Sequence, residues 1–104
     1  MAERVLRDER IYPGDVVRLT IAVTDPDDGT TAVDPAALTV TTLAPDGTKV
    51  AYVYGTDAEL VRSAVGSYYI DIQPDAAREW YVKVDSDTPD DVDEYWFAVE
   101  ASAF

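Results

Sequence analysis

Apolar side chains at every second position, interrupted by turn residues at short intervals, limit what this chain folds into. From Val17 the residues Val17, Leu19, Ile21 and Val23 alternate with Arg18, Thr20, Ala22 and Thr24. Successive side chains of an extended strand point to opposite faces, so this run has one apolar face and one wet face. Pro13-Gly14 precedes it and Asp25-Pro26-Asp27-Asp28-Gly29 follows it, both turn-forming. Asp34-Pro35 opens the next unit, where Leu38 and Val40 alternate with Thr39 and Thr41. Pro45-Asp46-Gly47 predicts a tight turn, and Lys49 to Tyr54 returns as the paired strand, ended by Gly55. Glu59 to Arg62 predicts a short strand, and 63–67 turns the chain. Tyr68, Ile70 and Ile72 then share one face, opposite Tyr69, Asp71 and Gln73. Pro74 to Ala77 predicts a single helical turn. Trp80, Val82 and Val84 alternate with Tyr81 and Lys83, Asp85 to Glu94 reads as a long acidic loop, and Tyr95 to Ala101 closes the chain with Phe97 and Val99 inward.

No segment carries a helical period. About seven strands at turn spacings of roughly 8–12 residues predict an all-β fold, an immunoglobulin-like antiparallel β-sandwich. A length of 104 residues fits one domain, and an apolar fraction of 47% is enough to give it a core. The sandwich is expected over 13–104, with 1–12 as an N-terminal arm or edge strand. Trp80, between valines in mid-strand, is expected to be the largest buried side chain. Gly66-Ser67-Tyr68 opens a strand with a tyrosine whose hydroxyl is expected to bond back to nearby backbone, as in the tyrosine corner of Greek-key sandwiches.

Missing residue types exclude most chemistry. Cysteine and histidine are absent. No disulfide, thiolate metal site, histidine general base or serine–histidine arrangement is available. The glycines are scattered singly at turns and form no phosphate-binding loop. Two carboxylates can act as acid and base, but only where burial raises one pKa, and the carboxylates here fall in loops and on polar faces. The chain is therefore expected not to be an enzyme. A net charge of −13 argues against nucleic acid and against anionic membrane surfaces. No apolar run is long enough to span a bilayer, and the N-terminus lacks a signal-peptide core.

Charge is unevenly placed. Residues 1–10 balance Arg4, Arg7 and Arg10 against Glu3, Asp8 and Glu9, so the whole of the −13 rests on 11–104. Arg4, Val5, Leu6, Arg7 and Arg10 are candidate docking residues, by strand addition to a partner whose carboxylates meet the arginines. Ile11 and Tyr12 are further apolar anchors of that arm. Two acidic clusters raise calcium, which takes six to eight oxygen ligands. One is Asp25, Asp27 and Asp28; the other runs from Asp85 to Glu94, with Asp85, Asp87, Asp90 and Asp91 as the candidate ligands. Neither has EF-hand spacing, and a solvated loop without an ion is the plainer expectation, so no cofactor is expected. Tyr69, Tyr81 and Trp96 are candidate outward aromatics, suited to a protein interface or a sugar platform.

Taken in order, these segments resemble small Ig-like proteins encoded among the virion structural genes of tailed bacteriophages. The resemblance rests on Pro13-Gly14-Asp15-Val16-Val17-Arg18-Leu19, Asp34-Pro35, Pro45-Asp46-Gly47-Thr48 and Tyr52-Val53-Tyr54-Gly55. Arg62 through Gly66-Ser67-Tyr68-Tyr69, then Trp80-Tyr81-Val82 and Phe97-Ala98-Val99, complete it. Two departures stand out: Glu79 where that pattern has a glycine, and the Asp85–Glu94 run where it has a glycine-rich loop. The resemblance implies a non-enzymatic virion protein, made in the host cytoplasm and docked on other virion proteins in a symmetric multi-copy assembly. Its implied place is capsid decoration, a spike or fibre base, or a head–tail or tail accessory. The competing expectation is an accessory module that binds calcium or cell-surface glycan.

Overall fold

The period-2 pattern is realised as two facing sheets. The computed structural model describes residues 4–5 and 10–101. Its strands are β1 (Arg4–Val5), β2 (Val17–Ala22), β3 (Ala37–Leu43), β4 (Lys49–Val53), β5 (Leu60–Ala64), β6 (Ser67–Ile72), β7 (Arg78–Asp87) and β8 (Asp91–Val99). One sheet has the order β1-β8-β7-β3-β4 and the other β2-β6-β5. The seven longer strands pair antiparallel, while β1 runs parallel to β8. The fold is a β-sandwich.

Each sheet gives its apolar positions to the space between them. Val17, Leu19 and Ile21 of β2 and Tyr68, Ile70 and Ile72 of β6 face Leu38, Val40, Trp80, Val82, Val84, Phe97 and Val99 of the larger sheet, all buried. Burying one such side chain stabilises by roughly 1.5–3 kcal/mol, which is what makes strand register unambiguous here. Trp80 lies nearly parallel to Phe97, its register partner, with centroids 6.2 Å apart. Its indole N–H donates to the Ala76 carbonyl at 3.0 Å, so the one polar atom of this large ring is satisfied. Trp80 retains 7% exposure at the rim, and Tyr68 at 2% is the more fully enclosed of the two.

Four local expectations are corrected. The acidic stretch Asp85–Glu94 is not a long loop. β7 continues to Asp87 and β8 begins at Asp91, so only three residues turn. Aspartate is a poor strand former in isolation, but β7 and β8 pair with each other from Lys83↔Glu94 to Ser86↔Asp91, and β3 supports β7 as far as Ala37↔Asp87. Pro74–Ala77 is not a helical turn; it runs irregularly to a bend at Ala76-Ala77. The fifth strand lies at Leu60–Ala64, slightly later than Glu59–Arg62. The Tyr68 hydroxyl bonds not to nearby backbone but to the Asp34 carboxylate, at 3.0 Å.

Two described pieces of the N-terminal segment, Arg4–Val5 and Ile11, lie along the edge of β8. Arg4 and Val5 pair with Tyr95 and Trp96. Ile11 bridges to Val99, its carbonyl accepts the Glu100 N–H at 2.7 Å, and its side chain is fully buried. Ile11 is thus a core residue of its own domain, not a free anchor, and the sandwich begins before residue 13.

Candidate interaction surfaces

Antiparallel register decides which outward side chains meet. Along β7 the odd positions Glu79, Tyr81, Lys83, Asp85 and Asp87 are exposed while the even ones from Trp80 to Ser86 are buried. Across the larger sheet, Leu43 pairs with Tyr81 and Tyr81 with Trp96, so these three form one outward row. Tyr81 is 38% exposed and Trp96 is half-buried. Val5 is in register with Trp96 and brings the N-terminal edge to the same row. Two shallow depressions of about 260 and 290 Å³ share Leu43 and Tyr81. Lys49, Lys83 and Glu94 line the first, and Arg78 and Glu79 the second.

Tyr69, the third predicted outward aromatic, lies on the other sheet and therefore on the opposite side of the molecule. There the Arg18 guanidinium stacks 4.1 Å from the Tyr69 ring centre and donates two hydrogen bonds to Asp71, at 2.7 and 2.9 Å. The three aromatics therefore do not make one site. Of the predicted arm residues, Arg10 is turned to its own chain, with Glu100 at 3.4 Å. Leu6 and Arg7 lie outside the described residues.

The acidic clusters are occupied by their own turns or divided by the pleat. Asp25 accepts the Asp27 N–H, and Asp28 accepts the N–H groups of Thr30 and Thr31, each at 2.9 Å, and the Thr31 hydroxyl. Those bonds hold the Asp28 carboxyl at about 2, below its ordinary 3.8. Side-chain bonds of this kind to the backbone one to three residues on are the ordinary reason aspartate recurs in turns. In the second cluster Asp85 and Asp87 project from the outer face of β7. Asp91 is in register with the buried Ser86, on the inner side of the same sheet. With Asp90 and Asp93 it borders an opening of about 180 Å³ between the sheets. Asp85 and Asp91 thus fall on opposite sides of the hairpin, while Asp90, in the turn, lies against the Asp87 carboxyl and accepts the Thr88 N–H at 3.2 Å. Among the described residues no group of three or more carboxylates is placed to hold a metal ion.

One cluster escaped the sequence reading. Asp34 Oδ1 accepts the Gly66 N–H at 2.9 Å and the Tyr68 hydroxyl at 3.0 Å, and the carboxylate takes both Nε and Nη2 of Arg62 at 3.1 and 3.0 Å. Arg62 first, then the Gly66 N–H, hold the Asp34 carboxyl at about 2. Asp34-Pro35 was legible as the opening of a unit; its partners, 28 to 34 residues away, left no local signal. The arrangement staples the chain before β3 to β5 and β6, a structural role. No protein-family model matches the chain, and no curated protein matches it.

Proposed function

We propose that this chain is a non-enzymatic structural protein of a tailed-phage particle, on an immunoglobulin-like sandwich that docks through a sheet face. The strand order β8-β7-β3-β4 against β2-β6-β5 supports the Ig-like reading. The observation that carries the functional reading is the division of labour among side chains. Asp28, Asp34 and Asp71, the acidic groups with the fullest hydrogen bonding, secure turns and strands. The carboxylates whose pKa moves all move down, toward permanent ionisation, which is the wrong direction for a general acid. What remains for partners is the broad outer face around Leu43, Tyr81 and Trp96, a combination of aromatic and aliphatic groups that suits protein contact.

As capsid decoration, a spike or fibre base, or a head–tail or tail accessory, the module would sit in many copies around a symmetric body. Mass spectrometry of purified particles is the test. The chain is expected there at a copy number that is a multiple of the local symmetry; particles that lack it overturn the proposal.

A further inference from the structure

Among residues 10–101 the cations fall into two groups. Arg10, Arg18 and Arg62 pair with Glu100, Asp71 and Asp34. Lys49, Arg78 and Lys83 make no ion pair, and all three border the depressions around Leu43 and Tyr81. Arg78 sits there at φ 96°, a conformation that non-glycine residues rarely hold. The same sheet face ends, at the far end of β7, in Asp85 and Asp87. One face thus has an aromatic end, where the cations Lys49, Arg78 and Lys83 outnumber the carboxylates Glu79 and Glu94, and an acidic end, in a chain whose net charge is −13.

We infer that two copies of this chain pair face to face across this surface, with their β7 strands antiparallel about a two-fold axis between Lys83 and Asp85. Because outward side chains recur at every second residue, that axis sets Lys83 of each copy against Asp85 of the other, and Tyr81 against Asp87. Thr41 and Thr39 of β3 then meet their counterparts, and Leu43 meets Ala37. The ion pairs form twice, which is the signature of an isologous contact. Four strands at about 4.8 Å spacing, over about 25 Å of length, offer on the order of 500 Å² per copy. That lies at the low end of specific interfaces, so the dimer is weak and salt-tuned. The overall repulsion of two acidic bodies is screened beyond about 8 Å at physiological ionic strength, whereas the contact pairs are screened less.

This inference deepens the reading of the face as an assembly surface, yet it is measured on purified protein without particles, so the two stand or fall separately. Sedimentation equilibrium at roughly micromolar to millimolar concentration and 0.15 M salt is expected to show a reversible dimer. Lys83→Asp and Asp85→Lys each weaken it by about tenfold or more, since each sets like charges in contact twice. The double variant, Lys83→Asp with Asp85→Lys, exchanges the pair and restores association to within about threefold of the original. All these positions are exposed, and unchanged circular dichroism spectra and melting confirm that the variants fold. A wild-type chain that stays monomeric at millimolar concentration, or a double variant no better than the singles, overturns the inference.

Discussion

One carboxylate, Asp34, receives the Gly66 N–H, the Tyr68 hydroxyl and two nitrogens of Arg62. A group whose folded pKa is lowered stabilises the fold above its unfolded pKa, here 3.8, and that contribution is lost as pH falls toward about 2. The melting temperature is therefore expected to drop between pH 4 and pH 2, and to drop less in Asp34→Asn, which is already uncharged. Equal slopes in the two proteins would remove Asp34 from the acid response. Tyr68→Phe keeps the buried ring and loses only the hydroxyl bond, so urea unfolding should show a loss of about 0.5–1.5 kcal/mol. Gly66 is less forgiving. Its φ is +66°, and a Cβ there would lie 2.6 Å from the Val23 carbonyl oxygen and 2.8 Å from Val33 backbone atoms. Backbone cannot yield as a flexible side chain can, so Gly66→Ala is expected to cost more than about 2 kcal/mol, read as a lower urea midpoint or loss of soluble protein.

At the scale of elements, the β7–β8 hairpin holds the sandwich together, because β7 is central in its sheet and carries Trp80. Trp80→Ala removes the stack on Phe97 and opens a cavity, an expected loss of about 3–5 kcal/mol by chemical denaturation. The N-terminal edge is a smaller element. Deleting residues 1–9 removes the pairing of Arg4 and Val5 with β8 but leaves Ile11 in the core. The shortened chain is expected to fold and to melt lower by roughly 5–10 °C. Failure to fold would show that the edge pairing is indispensable. A folded deletion variant that no longer joined particles would give the edge a docking role as well. The opposite edge, β4, is short and carries Lys49, two common devices against unwanted strand pairing. Its far end is also closed, since Asp57 accepts the Val53 N–H at 2.8 Å.

For the whole molecule, net charge is the dominant variable. With −13 on 104 residues and three surface ion pairs among the described residues, self-repulsion outweighs local attraction. Raising salt from about 10 to 150 mM is expected to raise the melting temperature of dilute, monomeric protein, because screening relieves repulsion over distances beyond about 8 Å. A fall in melting temperature over that range would mean that the surface pairs contribute more than the net charge removes.

The alternation of Val17 to Val23, of Tyr68 to Ile72 and of Trp80 to Val84, with the turns at Pro13-Gly14 and Pro45-Asp46-Gly47, was enough to predict an all-β sandwich and most of its core. These signals are local: a strand's two faces and a tight turn are written within a few residues. The same local reading assigned Asp85–Glu94 to a loop, since aspartate disfavours strands, and it is the β7–β8 ladder, flanked by β3, that overrules that preference. Outward aromatics were legible as a class, but register alone put Tyr81 beside Trp96 and Tyr69 on the opposite side. Asp34 was legible as the start of a unit, whereas its bonds to Arg62, Gly66 and Tyr68 exist because the chain crosses between sheets and returns. What the sequence by itself determined was each strand's period; what only the tertiary structure decided was which strands stand side by side, and therefore which charges and rings share a face.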